Sequence, residues 1–199
     1  MTLNDVKNYI EPFGETKNIE GMARFGIDPK NALGTGMKPL RELAKKIKKD
    51  DSLADELWRT DIHELMILAV LIKDPGNFTE EQADEWAGKL YSWDVCDQFS
   101  MQLMPKTGFA QKKIFQWAED DREFVRRAAF ATMATMGLKR IKADDSFYDP
   151  FFPLIIKYST DERNFVKKAV NWALRQIGKR NMELRTKAIE TAVIPLKVK

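Results

Sequence analysis

Two parts of the chain combine a tryptophan with charged residues at helical spacing. Trp93 stands four residues before Asp97, and Trp172 lies four residues after Lys168 and three before Arg175. Residues at these spacings share one face of a helix. An aromatic plane beside an anion can hold a delocalised cation. A tryptophan between two cations indicates a contact with nucleic acid or with a cation.

Both tryptophans point away from the helix face that should be buried. Beside Trp93, the expected buried stripe is Cys96, Phe99 and Leu103. Beside Trp172, apolar residues recur at the spacing of one buried helical stripe: Val166, Ala169, Val170, Ala173, Leu174 and Ile177. Exposing a tryptophan costs roughly 2 kcal/mol relative to burial, so each needs a reason. The simpler alternative is that Trp172 packs on a flanking helix and that Trp93 begins an ordinary helix.

The other chemistry-bearing residue types favour no further site. His63 is the only histidine and Cys96 the only cysteine, which is too few for a histidine relay or a His/Cys metal site. We expect His63 to be a structural residue near a helix start and Cys96 to be a buried, unreactive thiol. Gly34-Thr-Gly36 lacks the Lys-Ser/Thr of a phosphate loop. The sequence therefore predicts no metal and no cofactor.

A helix near the C-terminal end is nearly a copy of an earlier one. The segment Phe124-Val-Arg-Arg-Ala-Ala is followed 41 residues later by Phe165-Val-Lys-Lys-Ala-Val. A helical repeat near this length is typical of a HEAT-like solenoid. Arg127 lies in register with Lys168, off the buried stripe, so both copies should present a cation at one face. For Arg127 alone, a solvated surface arginine is the simpler interpretation.

Apolar residues recur at helical spacing along the whole chain, and no strand pattern competes. The predicted helices cover residues 3–12, 15–24, 38–49, 52–59, 62–73, 80–90, 93–104, 108–119, 122–136, 147–159, 162–178 and 182–193. Thr79 with Gln82, and Asp120 with Glu123, fit capping boxes. The stretch 26–36, rich in Gly, Pro and Asn, predicts an ordered loop. The fold class is therefore an all-α, HEAT-like repeat solenoid, an α-α superhelix with a concave basic face.

Composition sets the class of protein and favours an anionic partner. The chain has 199 residues, 44% hydrophobic and 32% charged, which fits one folded domain over residues 1–199. Residues 1–100 carry 13 Lys/Arg and 19 Asp/Glu, whereas residues 101–199 carry 20 and 11. The repeat-bearing half is therefore the basic half, which favours a phosphate-bearing partner.

The sequence predicts neither a signal peptide nor a membrane-spanning segment. The start of the chain lacks the basic-then-apolar order of a signal peptide, and the longest apolar run, residues 65–72, is too short to span a membrane. With one cysteine, disulfides contribute nothing to the fold. We expect a cytoplasmic protein that does not associate with membranes.

Four stretches resemble the AlkD-type DNA alkylation repair enzymes, the HEAT-like alkylpurine DNA glycosylases. They are Gly34-Thr-Gly-Met-Lys-Pro-Leu-Arg-Glu-Leu-Ala-Lys45, Trp93-Asp-Val-Cys-Asp97, Phe124-Val-Arg-Arg-Ala-Ala-Phe130 and Lys168-Ala-Val-Asn-Trp-Ala-Leu-Arg175. Their order and rough spacing also resemble the family. The last two together are fairly specific, because generic HEAT repeats rarely carry them at these distances.

The resemblance implies a set of site residues. The family's catalytic trio corresponds to Trp93, Asp97 and Arg127. The resemblance implies that Trp172 and Arg175 contact DNA. We predict that Lys168, Lys38 and Arg41 bind DNA with them.

Two positions depart from the family pattern. Ser92 stands where members often have a first tryptophan, and Phe25 stands after Met-Ala-Arg where they often have a tyrosine. Phe25 is then expected near the lesion but without the hydroxyl. Both departures bear on which lesion is preferred, and neither removes the trio.

The resemblance implies hydrolysis of the N-glycosidic bond of cationic 3-methyladenine and 7-methylguanine, leaving an abasic site. The implied partner is double-stranded DNA with alkylated bases, bound by a monomer that is nucleoid-associated in a prokaryote. The alternative is a catalytically inactive HEAT-like module that binds DNA or protein through the same face. Asp97 separates the two, because a pure DNA binder gains nothing from an anion among its cations. In a protein scaffold, Trp93 and Trp172 would be anchoring contacts.

Overall fold

The computed structural model describes residues 1–138 and 141–197, with side chains described through residue 194. These residues form twelve α-helices. The helices are α1 Leu3–Ile10, α2 Thr16–Arg24, α3 Met37–Ile47, α4 Asp51–Arg59, α5 His63–Ile72, α6 Glu80–Gly88, α7 Trp93–Gln98, α8 Ala110–Ala118, α9 Glu123–Met136, α10 Phe151–Tyr158, α11 Asn164–Gly178 and α12 Met182–Lys197. Gly14 and Thr35 form an isolated antiparallel bridge.

Each predicted helix overlaps one of these, but the predicted helix over 93–104 is not regular. The α-helix ends at Gln98, a π-helix follows at Phe99–Leu103, and a 3-10 turn follows at Met104–Lys106. Pro105 stands in that turn and has no N–H to continue an α-helical ladder. Among the described helices, none is long and apolar enough to cross a bilayer.

The chain divides into two compact units, residues 1–107 and 108–199. The prediction of one domain over residues 1–199 stays a prediction. In the first unit, α5 is the central element, because every one of its residues except Leu71 is buried. Trp58 stacks on Trp86 beside it, with ring centroids 4.2 Å apart. Lys73 is buried just after α5 and pairs with Asp55 at 2.8 Å.

The second unit shows the repeat directly. Asp120 accepts hydrogen bonds from the backbone and guanidinium of Arg122, and Asp161 does the same for Arg163, 41 residues later. The same turn therefore precedes α9 and α11. The two helices pack on each other, and the rings of Phe124 and Phe165 lie 5.4 Å apart between centroids.

One of the two predicted capping boxes is present. Thr79 and Gln82 bond reciprocally at the start of α6, as predicted. The predicted box of Asp120 with Glu123 is wrong, because Arg122 is the N-cap of α9 and makes no side-chain capping bond. Asp120 is instead occupied by Arg122.

Candidate functional site

Trp93 and Asp97 lie on the outward side of α7. The predicted buried stripe is confirmed, since Cys96, Phe99 and Leu103 are each 0% exposed. Trp93 and Asp97 are half-buried. A carboxylate and an indole on one face of a short helix therefore remain accessible from solvent.

Trp93 is tied to the loop that precedes α3. Its indole N–H donates to the backbone carbonyl of Phe25 at 2.9 Å. Phe25 itself is 71% exposed. The structure thus brings together two residues predicted from separate motifs, Trp93 as catalytic and Phe25 as near the lesion. Because the indole N–H is occupied, the face of the Trp93 ring is what the site offers to a ligand.

Beneath this surface, the buried His63 pairs with the half-buried Asp94. His63 is the first residue of α5, and its Nε2 lies 2.8 Å from the Asp94 carboxylate. The Nδ1 atom lies 2.7 Å from the Tyr91 hydroxyl, and the Ser92 hydroxyl donates to Asp94 at 2.7 Å. Burial alone would raise the pKa of Asp94, but the hydrogen bonds and charge of its partners hold it below its ordinary value. His63 is therefore structural and near a helix start, as predicted.

Glu64, the next residue of α5, holds the loop over residues 26–36. Its buried carboxylate accepts the backbone N–H groups of Leu33, Gly34 and Thr35 at 2.8, 2.7 and 3.2 Å. Gly34 has φ +77°, and a Cβ there would lie 2.5 Å from the carbonyl oxygen of Glu15. The predicted ordered loop is present, but sequence reasoning missed Glu64. Its only signal was an acidic residue inside an apolar segment.

The helix α3 presents Lys38 and Arg41 to solvent. With Lys45 they follow the i, i+3, i+7 spacing of one helix face. None of the ion pairs in the described residues includes these three cations. Arg41 and Lys45 line an open groove of about 340 Å³ together with Gln102. This face can meet phosphates without first breaking an internal contact.

In the second unit, α11 carries the predicted basic tryptophan face. Lys168, Trp172 and Arg175 line one shallow groove of about 450 Å³, together with Lys167 and Asn171. The opposite side of α11 is buried as predicted at Val166, Ala169, Val170, Ala173 and Ile177, while Leu174 is half-buried. Trp172 is half-buried, and its groove is open to solvent.

The cations of that groove differ from the other basic residues of the unit. Lys157 pairs with Glu119 at 2.7 Å and Lys187 with Asp149 at 2.9 Å. Within residues 108–138 and 141–194, no ion pair includes Lys168 or Arg175. The Lys168 ammonium lies 6.0 Å from the ring centroid of Phe165. An indole among unpaired cations is an arrangement that binds the phosphates and bases of a nucleic acid.

The structure corrects the prediction for Arg127. The sequence places it off the buried stripe beside solvent, yet it is only 6% exposed. Its Nη1 donates to the carbonyl of Phe165 at 2.8 Å, because α11 packs over this side of α9. Lys168, its counterpart in register, is exposed. The two copies therefore do not present equivalent cations.

The predicted residues fall into two groups. Trp93, Asp97 and Phe25 lie in the first unit with Lys38 and Arg41, whereas the remaining predicted residues lie in the second unit: Arg127, Lys168, Trp172 and Arg175. Joint action of Trp93, Asp97 and Arg127 stays a prediction. Across the part of the chain that the structure describes, no three His, Cys, Asp or Glu side chains cluster to hold a metal ion.

Comparisons with known proteins place this geometry in a family. No curated protein matches the chain. A solved structure, described as a new family of proteins related to the HEAT-like repeat DNA glycosylases with affinity for branched DNA structures, is similar with a TM-score of 0.82 and 22% identity. The match covers 96% of this chain and 82% of that one, and it confirms the HEAT-like repeat fold. The family model for DNA alkylation repair enzymes matches residues 6–197. The chain therefore belongs to the family of DNA alkylation repair enzymes.

Proposed function

We propose that the protein is a monofunctional DNA glycosylase that excises cationic alkylated purines from duplex DNA. Its substrates are 3-methyladenine and 7-methylguanine, and its product is an abasic site. The observation that carries the proposal is the pairing of Asp97 with Trp93 on the accessible face of α7. A protein that only binds DNA gains nothing from an accessible carboxylate, whereas a DNA alkylation repair enzyme can use it in catalysis.

Excision of a cationic base requires a negative charge in the site rather than a proton donor. A purine alkylated at N3 or N7 is already cationic, so it leaves without being protonated. The sugar then develops oxocarbenium character, which a carboxylate stabilises as it does in glycoside hydrolases. Asp97 supplies that charge and orients the attacking water. The face of Trp93 contacts the cationic base or the sugar.

The basic faces of the two units hold the DNA backbone. Lys168 and Arg175 bind phosphates, Trp172 contacts the strand beside them, and Lys38 and Arg41 add contacts from the first unit. Arg127 is left out of these contacts, because it is buried and its guanidinium donates to the carbonyl of Phe165. No lysine is assigned as a Schiff-base nucleophile, so the strand stays intact. The protein acts as a cytoplasmic monomer without a cofactor.

The test is release of free bases from methylated duplex DNA. The purified chain should release 3-methyladenine and 7-methylguanine, and the DNA should break only after alkali treatment of the abasic sites. Strand cleavage without alkali would contradict a monofunctional mechanism. Retention of both bases at saturating protein would contradict the glycosylase itself.

A second candidate is a HEAT-like module that binds branched DNA without catalysis. It is favoured by the similarity to a protein described as having affinity for branched DNA structures. The unpaired cations on α3 and α11 serve this function equally well. Competition between a four-way junction and a linear duplex of equal length decides between them. Preference for the junction without any base release supports the module.

A further inference from the structure

The start of α5 contacts both segments that carry the site in the first unit. His63 reaches toward α7, which bears Trp93 and Asp97, while Glu64 reaches toward the loop that follows Phe25. The two side chains are adjacent in sequence and buried, with exposures of 4% and 2%. Buried polar groups of this kind are costly unless each is hydrogen-bonded, so their contacts define their positions closely.

The contact with α7 is a chain of three short hydrogen bonds. Nε2 of His63 lies 2.8 Å from the carboxylate of Asp94, which also accepts from Ser92 at 2.7 Å. Nδ1 of His63 lies 2.7 Å from the hydroxyl of Tyr91. Asp94 is the residue next to Trp93, in the first turn of α7. The imidazole therefore fixes the beginning of this helix.

The contact with the loop is denser. Glu64 accepts three consecutive backbone N–H groups, from Leu33 to Thr35. The backbone N–H of His63 donates to the carbonyl of Asn31 at 3.0 Å, and Asn31 donates through its side chain to the carbonyl of Asp61. The loop is thus attached to α5 at four backbone positions, residues 31, 33, 34 and 35, besides the side-chain bond of Asn31 to the residue Asp61 before the helix.

The Trp93 indole on the first segment donates to the carbonyl of Phe25, the residue directly before the second. We propose that His63 and Glu64 are positioning residues that set the orientation of the Trp93 ring from both sides. His63 holds the helix that carries the donor, and Glu64 holds the loop of residues 26–36, which starts one residue after the acceptor at the end of α2. The inference rests on the proposed function only for the use of Trp93, because the position of the indole can be measured without DNA.

A nucleophilic role for the same cluster does not fit. The order of contacts, from Tyr91 to His63 to Asp94, resembles that of a nucleophile, a general base and an acidic residue. Burial, helped by the charges of Asp94 and Glu64, raises the pKa of the Tyr91 hydroxyl far above its ordinary value. The hydroxyl therefore stays protonated and serves as a hydrogen-bond donor. When the imidazole is neutral, a proton donated to Nδ1 leaves Nε2–H to donate to Asp94.

The chain offers two spectroscopic reporters for the test. It contains one histidine, so the imidazole gives a single set of ¹⁵N signals, and five tryptophans, which give five ¹⁹F signals after labelling with 5-fluorotryptophan. The Trp93 signal is assigned by its loss in Trp93→Phe. The other four report whether the fold is intact.

The first comparison is His63→Leu against His63→Gln. Leucine removes both hydrogen bonds, whereas the glutamine amide can still donate to Asp94. We expect the Trp93 signal to shift or broaden in His63→Leu and to return toward its wild-type position in His63→Gln, with the other four unchanged. In a base-release assay, His63→Leu should lower the single-turnover rate about 10- to 100-fold while affinity for undamaged duplex stays within about twofold. An unmoved Trp93 signal in folded His63→Leu overturns the inference.

The second comparison covers the case in which His63→Leu does not fold. Asp94→Ala removes the acceptor at the partly exposed end of the contact, and Asp94→Asn keeps an oxygen acceptor at the same position. The Trp93 signal should move in the alanine variant and stay in the asparagine variant. Equal shifts in both would show that the contact with His63 does not set the ring.

The third comparison tests the loop side. Glu64→Gln replaces an acceptor oxygen with an amide that faces backbone N–H groups, and should displace the Trp93 signal. Glu56→Gln, an exposed position on α4, is the matched control and should leave it in place. Displacement by both or by neither overturns the role of Glu64. If the wild-type protein releases no base but the variants still shift the Trp93 signal, the proposed function is contradicted and the positioning role of His63 and Glu64 is supported.

Discussion

The indole N–H of Trp93 donates to the carbonyl of Phe25 across 68 residues of sequence, at 2.9 Å. This bond joins the first helical turn of α7 to the end of α2, and the loop that follows is held by the buried carboxylate of Glu64. The ring of Trp93 is therefore positioned before any ligand arrives. A pre-positioned aromatic face lowers the ordering cost of binding, and pre-positioned groups are what catalysis requires.

Phe25→Ala should separate function from stability. The side chain is 71% exposed, so its loss should change the free energy of unfolding by less than about 0.5 kcal/mol. If the ring lies beside the lesion, base release should slow several-fold. Phe13→Ala, at 44% exposure in the same unit, is the control and should keep the wild-type rate. Equal rates in both variants would remove Phe25 from the site.

Gly34→Ala should destabilise the protein by about 2–4 kcal/mol in urea unfolding, because the position combines φ +77° with a Cβ contact of 2.5 Å. Gly36→Ala has no atom within 4 Å of the added Cβ and is the matched control. The control should stay within about 1 kcal/mol of wild type. A small effect at both positions would mean that the loop adapts, and would weaken the role given to Glu64.

The α11 groove should contribute to the salt dependence of DNA binding. Replacing Lys168 and Arg175 by alanine should reduce the slope of log K against log salt by about 2, since each phosphate contact contributes about 0.9. Lys157→Ala with Lys187→Ala makes the same change of charge at residues already paired with Glu119 and Asp149. Their slope should stay near that of wild type. An equal fall for both pairs would indicate a general effect of charge.

Asp161 should make stability depend on pH in the acid range. The hydrogen bond from Arg163, aided by Arg126, holds the pKa of its carboxyl well below its ordinary value despite burial. The unfolded chain then binds this proton more readily, so the stabilisation is complete above the unfolded pKa of about 4 and is lost as pH falls below it.

Asp161→Asn tests that dependence by urea unfolding between pH 7 and pH 2. At pH 7 the variant should be less stable by about 2 kcal/mol, and the difference should shrink toward acid. Asp149→Asn is the control, because the Asp149 side chain is 51% exposed and should show a much smaller change. A difference that stays constant with pH would contradict the assignment.

Sequence patterns predicted the helices well and the contacts between them poorly. The stripe of Cys96, Phe99 and Leu103 followed from helical spacing, and the repeat followed from Phe124 and Phe165. These features are local or nearly periodic, so they can be recognised in a single sequence. The π-helix after Gln98 depends on how a buried helix ends at Pro105, which periodicity does not encode.

The errors at the site have the same origin. Arg127 is buried because a later helix covers it, and the spacing within α9 contains no information on that neighbour. His63 and Asp94 are 31 residues apart in sequence, and a lone histidine gives no sign of its partner. Glu64 likewise accepts hydrogen bonds from a loop thirty residues earlier in the sequence, and nothing near Glu64 in the sequence indicates that partner. Such long-range polar contacts arise only when the helices pack.

The central claim is that Asp97 stabilises the sugar as the base departs. The direct measurement is the single-turnover rate of 7-methylguanine release by wild type and by Asp97→Asn, alongside their affinities for the same duplex. We expect the rate to fall about 100- to 1,000-fold, the cost of removing one aligned electrostatic contact, with affinity unchanged or higher. Wild-type release with an unimpaired Asp97→Asn variant would contradict the assignment of Asp97, and no release by either protein would contradict the enzyme.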